Sequence, residues 1–196
     1  MDFENEITVE VDTDLDSLIK ILEGRGFKLK EVYDVNDIYL INKNDKVGDP
    51  LEILNKCVLI RDILEDSGET KMLTYKYKEY NEKKEITKQG KVKVKIDDID
   101  KAKQLFENLG FEELIKINDH MLVYATDHEE LVVQNVNNGK HIYIEVEDEC
   151  HYAKRTYNSI DELKEIITGN GIPFKNDNFF AKKAEIELQE TFNKGE

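Results

Sequence analysis

Polar and apolar residues alternate strictly at the start of the chain. Glu4, Glu6, Thr8, Glu10 and Asp12 fall on one side, and Ile7, Val9 and Val11 on the other. A period of two belongs to a strand with one covered face, so residues 4–12 are expected to be extended. The period then lengthens. Leu15, Leu18, Ile21 and Leu22 recur at helical spacing behind Asp14, a capping residue, and Gly26 supplies the left-handed stop. Residues 27–41, rich in Val, Ile and Tyr, read as a long strand. After a loop holding Gly48 and Pro50 comes a short helical piece at 51–54. Strands at 57–64 and 70–80 then form a hairpin about Asp66-Ser67-Gly68. A further strand ends in Lys91-Val92-Lys93-Val94-Lys95-Ile96, a second helix spans 99–109 and stops at Gly110, and Phe111 opens the next strand. Strands at 130–136 and 141–148 are joined by Asn137-Asn138-Gly139. The tail is expected to hold a helix at 160–168 and, after Gly171 and Pro173, an amphipathic helix over about 178–191.

About eight strands, several of them long, with helices inserted at matching places, predict an α+β fold. The expected architecture is a closed antiparallel β-barrel or tunnel with its helices packed outside, because closure removes exposed strand edges. An internal repeat points the same way. Asp14-Leu15-Asp16 recurs as Asp98-Ile99-Asp100, and Gly26-Phe27 as Gly110-Phe111, each 84 positions later. Ile7, Val9 and Val11 match Val92, Val94 and Ile96 at an offset of 85. A pseudo-twofold pair of strand–helix–strand halves is therefore expected. Residues 1–150 are assigned to the barrel, and 151–196 to a C-terminal helical extension packing on it. In the repeat, Glu6, Thr8 and Glu10 correspond to Lys91, Lys93 and Lys95. Such faces point either to bulk water or to a lumen; in the second case the lumen has an acidic wall and a basic wall.

Composition narrows the field of partners. A chain of 196 residues with 39% hydrophobic and 36% charged residues suits one domain with a real core. A formal charge of −15, spread along the chain, argues against nucleic acid as a ligand. The acidic start lacks the pattern of a secretory signal, and no apolar run is long enough for a bilayer span, so no membrane partner is expected. Cys57 and Cys150 have no metal-ligand spacing, and two free thiols in a cytoplasmic protein are expected. His120, His128, His141 and His151 likewise show no metal spacing and are read as incidental.

Several short motifs occur in a fixed order. They are Glu4-Asn5-Glu6-Ile7-Thr8 on the first strand, Asp37-Ile38-Tyr39, Leu59-Ile60-Arg61, Thr74-Tyr75-Lys76, Asn108-Leu109-Gly110-Phe111, Val123-Tyr124 and Tyr143-Ile144-Glu145-Val146-Glu147. In this order, across residues 4–150, the chain resembles the CYTH family, named for class IV adenylyl cyclase and thiamine triphosphatase. The resemblance implies a tunnel in which Arg and Lys hold a triphosphate and glutamates hold divalent cations. Carried onto this sequence, Glu4, Glu6, Glu145 and Glu147 become the metal ligands, with Mg²⁺ or Mn²⁺ as the cofactor. Arg61, Lys76, Lys91 and Lys93 become the substrate-binding residues. No side chain stands out as a general base, so a metal-activated water is the implied nucleophile. The implied activity is hydrolysis of inorganic triphosphate, thiamine triphosphate or a nucleoside triphosphate. A class IV adenylyl cyclase is the enzymatic alternative. The chain also departs from the pattern: Thr8 replaces the signature lysine, and Leu59, Asp119 and Met121 stand where basic residues are expected. Those losses support a third reading, a catalytically silent tunnel protein that serves as a binding or scaffold module.

Overall fold

The computed structural model describes residues 2–3, 5–81 and 86–193. Its strands are β1 (Asp2–Phe3), β2 (Glu6–Glu10), β3 (Lys28–Asn42), β4 (Val58–Glu65), β5 (Gly68–Tyr80), β6 (Ile86–Lys95), β7 (Phe111–Ala125), β8 (Glu130–Val136) and β9 (His141–Glu147). The helices are α1 (Leu15–Gly24), α2 (Pro50–Leu54), α3 (Ile99–Asn108), α4 (Ile160–Gly169) and α5 (Lys183–Asn193). This is the α+β antiparallel fold expected from the sequence. The chain divides into two compact units, and the divisions fall inside β3 and β7.

One unit holds residues 34–118, β1 and the chain from Lys182 onward. Its antiparallel strands run in the order β1-β6-β5-β4-β3. Register fixes which side chains share a face: Asp37 lies opposite Arg61, Leu59 opposite Thr74, Thr74 opposite Lys93 and Lys76 opposite Lys91. The other face carries Ile38, Leu40, Ile60, Leu73 and Ile96, which pack with Ile99, Ala102 and Phe106 of α3 and with Phe111. That packing explains why α3 lies where it does. Asp98 caps its first turn by accepting from the Lys101 N–H, and Gly110, at φ +89°, turns the chain out of the helix. With the apolar face covered by α3, the face bearing Arg61, Lys76, Lys91 and Lys93 is left polar.

The second unit holds residues 5–33 and 119–181, with strand order β7-β8-β9-β2. Its core joins Ile7, Val9, Val11, Leu122, Tyr124, Leu131, Val133, Ile142, Ile144 and Val146 to Leu18 and Leu22 of α1 and to Leu163, Ile166 and Ile167 of α4. Asp14 caps α1 as Asp98 caps α3, and Gly26 closes it at φ +88°. Full burial of each such aliphatic side chain contributes about 1.5–3 kcal/mol, so this core sets the direction in which β2 and β9 face. Glu6, Thr8 and Glu10 on β2, with Glu145 and Glu147 on β9, are thereby turned to the opposite, polar face.

Two expectations are revised. The first strand begins in two pieces, β1 and β2, and Val11 continues only as a bridge to Phe174. The last helix starts at Lys183, not near residue 178. Residues 179–181 instead lie along the edge of β2: the Thr8 N–H donates to the Phe179 carbonyl at 3.1 Å, and the Ala181 N–H donates to the Thr8 carbonyl at 2.8 Å. An edge strand presents unpaired backbone groups, and satisfying them here outweighs the helical pattern of the tail.

Candidate functional site

In the register of β2 with β9, Glu6 faces Glu147 and Thr8 faces Glu145. Glu6, Glu145 and Glu147 are half-buried, and each offers one carboxylate oxygen within 4.8 Å of the others. Like charges this close on one sheet face repel. A cation that binds all three relieves that repulsion. The donor set is entirely oxygen, which suits a hard divalent ion such as Mg²⁺ or Mn²⁺. Thr8, short and buried between the glutamates, introduces no competing ammonium. Gln134 is buried and donates its amide to Glu145 at 3.0 Å, fixing one oxygen of that carboxylate. Three of the four expected metal ligands thus come together. Glu4, the fourth, lies outside the described residues.

Farther along the same face, one oxygen of Glu10 accepts from Lys175 at 2.8 Å and lies 2.9 Å from His141 Nδ1. Burial by itself would raise the Glu10 carboxyl, but hydrogen bonds and charge from Lys175 and His141 outweigh it and hold the pKa below its usual range. His141 is therefore a side-chain partner of Glu10 rather than incidental. The signal was present in the alternation of β9, which puts residues 141, 143, 145 and 147 on one face.

The basic residues meet in the other unit. Arg61 grips Asp37 with two donors, Nε to Oδ1 and Nη2 to Oδ2, both at 2.7 Å. The Asp37 side chain is 1% exposed and that of Arg61 20%. Burial pushes the Asp37 carboxyl up, yet Arg61, with Lys76 and Lys183 behind it, wins and keeps it below the ordinary value. Lys76 is crowded by protein despite keeping some exposed surface. Burial first, then the charges of Arg61 and Lys91, push its ammonium down to about 7, and Asp37 only partly restores it. Lys91 is half-buried beside Lys76, whereas Lys93 is exposed opposite Thr74. So all four expected cations share a face, but Arg61 is committed to Asp37, and Lys93 stands at the periphery. Sequence reasoning missed two members. Asp37 carries no signal beyond its short motif, and Lys183 opens a helix that the tail's pattern starts too early.

Arg61, Lys76 and Lys183 all act on the Asp37 carboxylate, and Arg61 and Lys91 act on Lys76. Guanidinium and ammonium groups are donors whose geometry and charge match phosphate oxygens.

No family model matches the chain. A Methanocaldococcus jannaschii protein named "Putative adenylate cyclase MJ0240" is 26% identical over 187 residues, 95% of this chain and 98% of its own. Protein PH1819 of Pyrococcus horikoshii OT3 has a similar structure, with a TM-score of 0.66 at 20% identity over 95% of this chain and 99% of that one. A structure from Vibrio parahaemolyticus, described as a "putative adenylate cyclase", gives a TM-score of 0.61 at 12% identity over 94% and 98%. The chain is thus alike in fold to these structures and similar to the Methanocaldococcus jannaschii relative along nearly its whole length.

Proposed function

We propose that the protein is a divalent-metal-dependent enzyme acting on a triphosphate compound. The observation that carries the reading is the convergence of Glu6, Glu145 and Glu147 to within 4.8 Å of one another. Three carboxylate oxygens at that separation form an all-oxygen donor set suited to a hard divalent cation. The gathering of Arg61, Lys76 and Lys183 about Asp37, with Lys91 beside Lys76, supports the substrate class. In this reading Glu6, Glu145 and Glu147 hold Mg²⁺ or Mn²⁺, with Glu4 added to the set. Lys76 and Lys91 bind phosphate oxygens directly, Arg61 does so with the donors that Asp37 leaves over, and Lys93 joins at the rim. A bound divalent cation offsets phosphate charge and lowers the pKa of water. Hydrolysis of the phosphoanhydride is the simplest outcome, because a metal-bound water supplies its nucleophile without a further protein group. Closure of the sheet into a tunnel, a twofold relation between its halves, and a helical extension over residues 151–196 belong to this proposal.

The names of the relatives favour a second reading, cyclisation of a nucleoside triphosphate. Both readings use the same metal and the same cations and differ in the attacking oxygen. One assay separates them. Purified protein is given tripolyphosphate, ATP or thiamine triphosphate with Mg²⁺ or Mn²⁺, beside a Glu6→Ala/Glu145→Ala control. Orthophosphate release that needs metal and vanishes in the control supports hydrolysis. Pyrophosphate with a cyclic nucleotide from ATP supports the cyclase. If no product forms from any of the three, the enzymatic reading falls, and the silent binding module takes its place.

A further inference from the structure

Thr74 stands in an unusual place. Its residue is 2% exposed, and among the described residues its hydroxyl has no hydrogen-bond partner. A buried polar group without a partner is uncommon in native folds and costs free energy comparable to a lost hydrogen bond. Its neighbours on the sheet make the position informative. Thr74 lies opposite Leu59 on one side and Lys93 on the other. The next row of the register along β5 holds Lys76 opposite Lys91, and the row on the other side holds Met72 between Arg61 and Lys95. Side chains two residues apart on a strand point to the same face. The orphan hydroxyl therefore sits at the centre of a face whose surrounding positions carry Arg61, Lys76, Lys91, Lys93 and Lys95. A hydroxyl is both donor and acceptor, and in cationic surroundings the missing partner is an anion's oxygen, towards which Thr74 donates.

We propose that Thr74 is a substrate-binding residue, whose hydroxyl donates to a phosphate oxygen of the polyphosphate held by these cations. The assignment deepens the triphosphate reading and rests on it. It also accounts for a threonine at a position where valine has the same shape and fits a strand as well. An isosteric valine removes the unpaired oxygen, which relieves the folded protein in the absence of ligand. The same change deprives a bound phosphate of a charge-assisted hydrogen bond. Thr74 thus makes binding and stability move in opposite directions.

The test is metal-free titration calorimetry with inorganic tripolyphosphate on wild type, Thr74→Val and Thr74→Ser, together with thermal unfolding of each without ligand. The expected result is a loss of roughly tenfold or more in affinity for Thr74→Val, the size of a hydrogen bond to a charged group. Its melting temperature should equal or exceed that of wild type. Thr74→Ser, which keeps the hydroxyl, should bind within a few-fold of wild type even if it melts lower. Equal affinity in wild type and Thr74→Val overturns the assignment while leaving the triphosphate reading intact. So does a Thr74→Val protein that melts well below wild type, or a Thr74→Ser protein that binds as weakly as Thr74→Val. If wild type binds no tripolyphosphate at all, the triphosphate reading itself fails, and the assignment of Thr74 goes with it.

Discussion

Lys76 is the residue where charge, burial and function conflict most openly. Crowded by protein and by Arg61 and Lys91, its ammonium is pushed down to about 7. In an unfolded chain a lysine titrates near 10.4. The unfolded state therefore binds more protons than the folded one between about pH 7 and pH 10, and this group makes stability rise with pH over that window. Binding of a polyphosphate has the opposite preference. Phosphate oxygens favour the charged ammonium, so affinity is highest below about pH 7 and weakens above it, by at most about tenfold per pH unit for one proton. Tripolyphosphate titrations between pH 6 and 9, repeated in buffers of different ionisation enthalpy, should show net proton uptake near neutrality. Lys76→Arg keeps the charge throughout and should flatten the pH profile. A wild-type profile already flat over this range would show that Lys76 stays charged in the free protein. The sequence marked Lys76 as a phosphate ligand, but its depressed pKa depends on Arg61 and Lys91, which come from other strands. Asp37 was still harder to read. Nothing in Asp37-Ile38-Tyr39 discloses a carboxylate gripped by an arginine 24 positions away.

At the scale of the element, alternation proved the most legible signal. It located β2 and β9 and placed Glu6, Glu145 and Glu147 correctly on one side of their strands, because a covered apolar face fixes the direction of every second residue. It could not say which strand was opposite which. The register of β2 against β9 supplies the result that matters, Glu6 facing Glu147 directly. Directly opposed like charges in a sheet cost roughly 0.2–1 kcal/mol each. Glu147→Gln should accordingly stabilise the metal-free protein by about that amount in chemical denaturation. It should also weaken Mn²⁺ binding about tenfold or more, since an amide is a poorer ligand for a hard cation. Loss of stability together with unchanged Mn²⁺ affinity would remove Glu147 from the metal site. The tail shows the limit of local pattern. Residues 178–182 share the amphipathic character of the helix that follows, yet 179–181 pair with Thr8 because an open strand edge lies within reach. Only tertiary structure discloses such competition.

For the whole molecule, the formal charge of −15 hides the division that matters. The carboxylates of the proposed metal site belong to the unit built around β2 and β9, whereas Arg61, Lys76 and Lys91 belong to the unit built on β3 to β6. Each polar face exists because the opposite face of its own sheet is covered, by α1 and α4 in one unit and by α3 in the other. The sequence shows this contrast only as Glu6 and Glu10 corresponding to Lys91 and Lys95. It could not tell solvent-facing charge from site charge, since both obey the same alternation. Ligand-dependent protection separates them. A ligand that binds the native state slows exchange most where it holds the backbone in place. In amide hydrogen exchange, Mn²⁺ alone should slow β2 and β9, while tripolyphosphate alone should slow β4, β5 and β6. Neither effect should appear in Glu6→Ala/Glu145→Ala for the metal, or in Lys76→Met for the polyphosphate. Protection by Mn²⁺ that falls on β4 to β6, or protection by tripolyphosphate that survives Lys76→Met undiminished, would mean that solvated surface charge has been mistaken for a site. Protection confined as stated would assign each ligand to its own unit, by an observation independent of turnover.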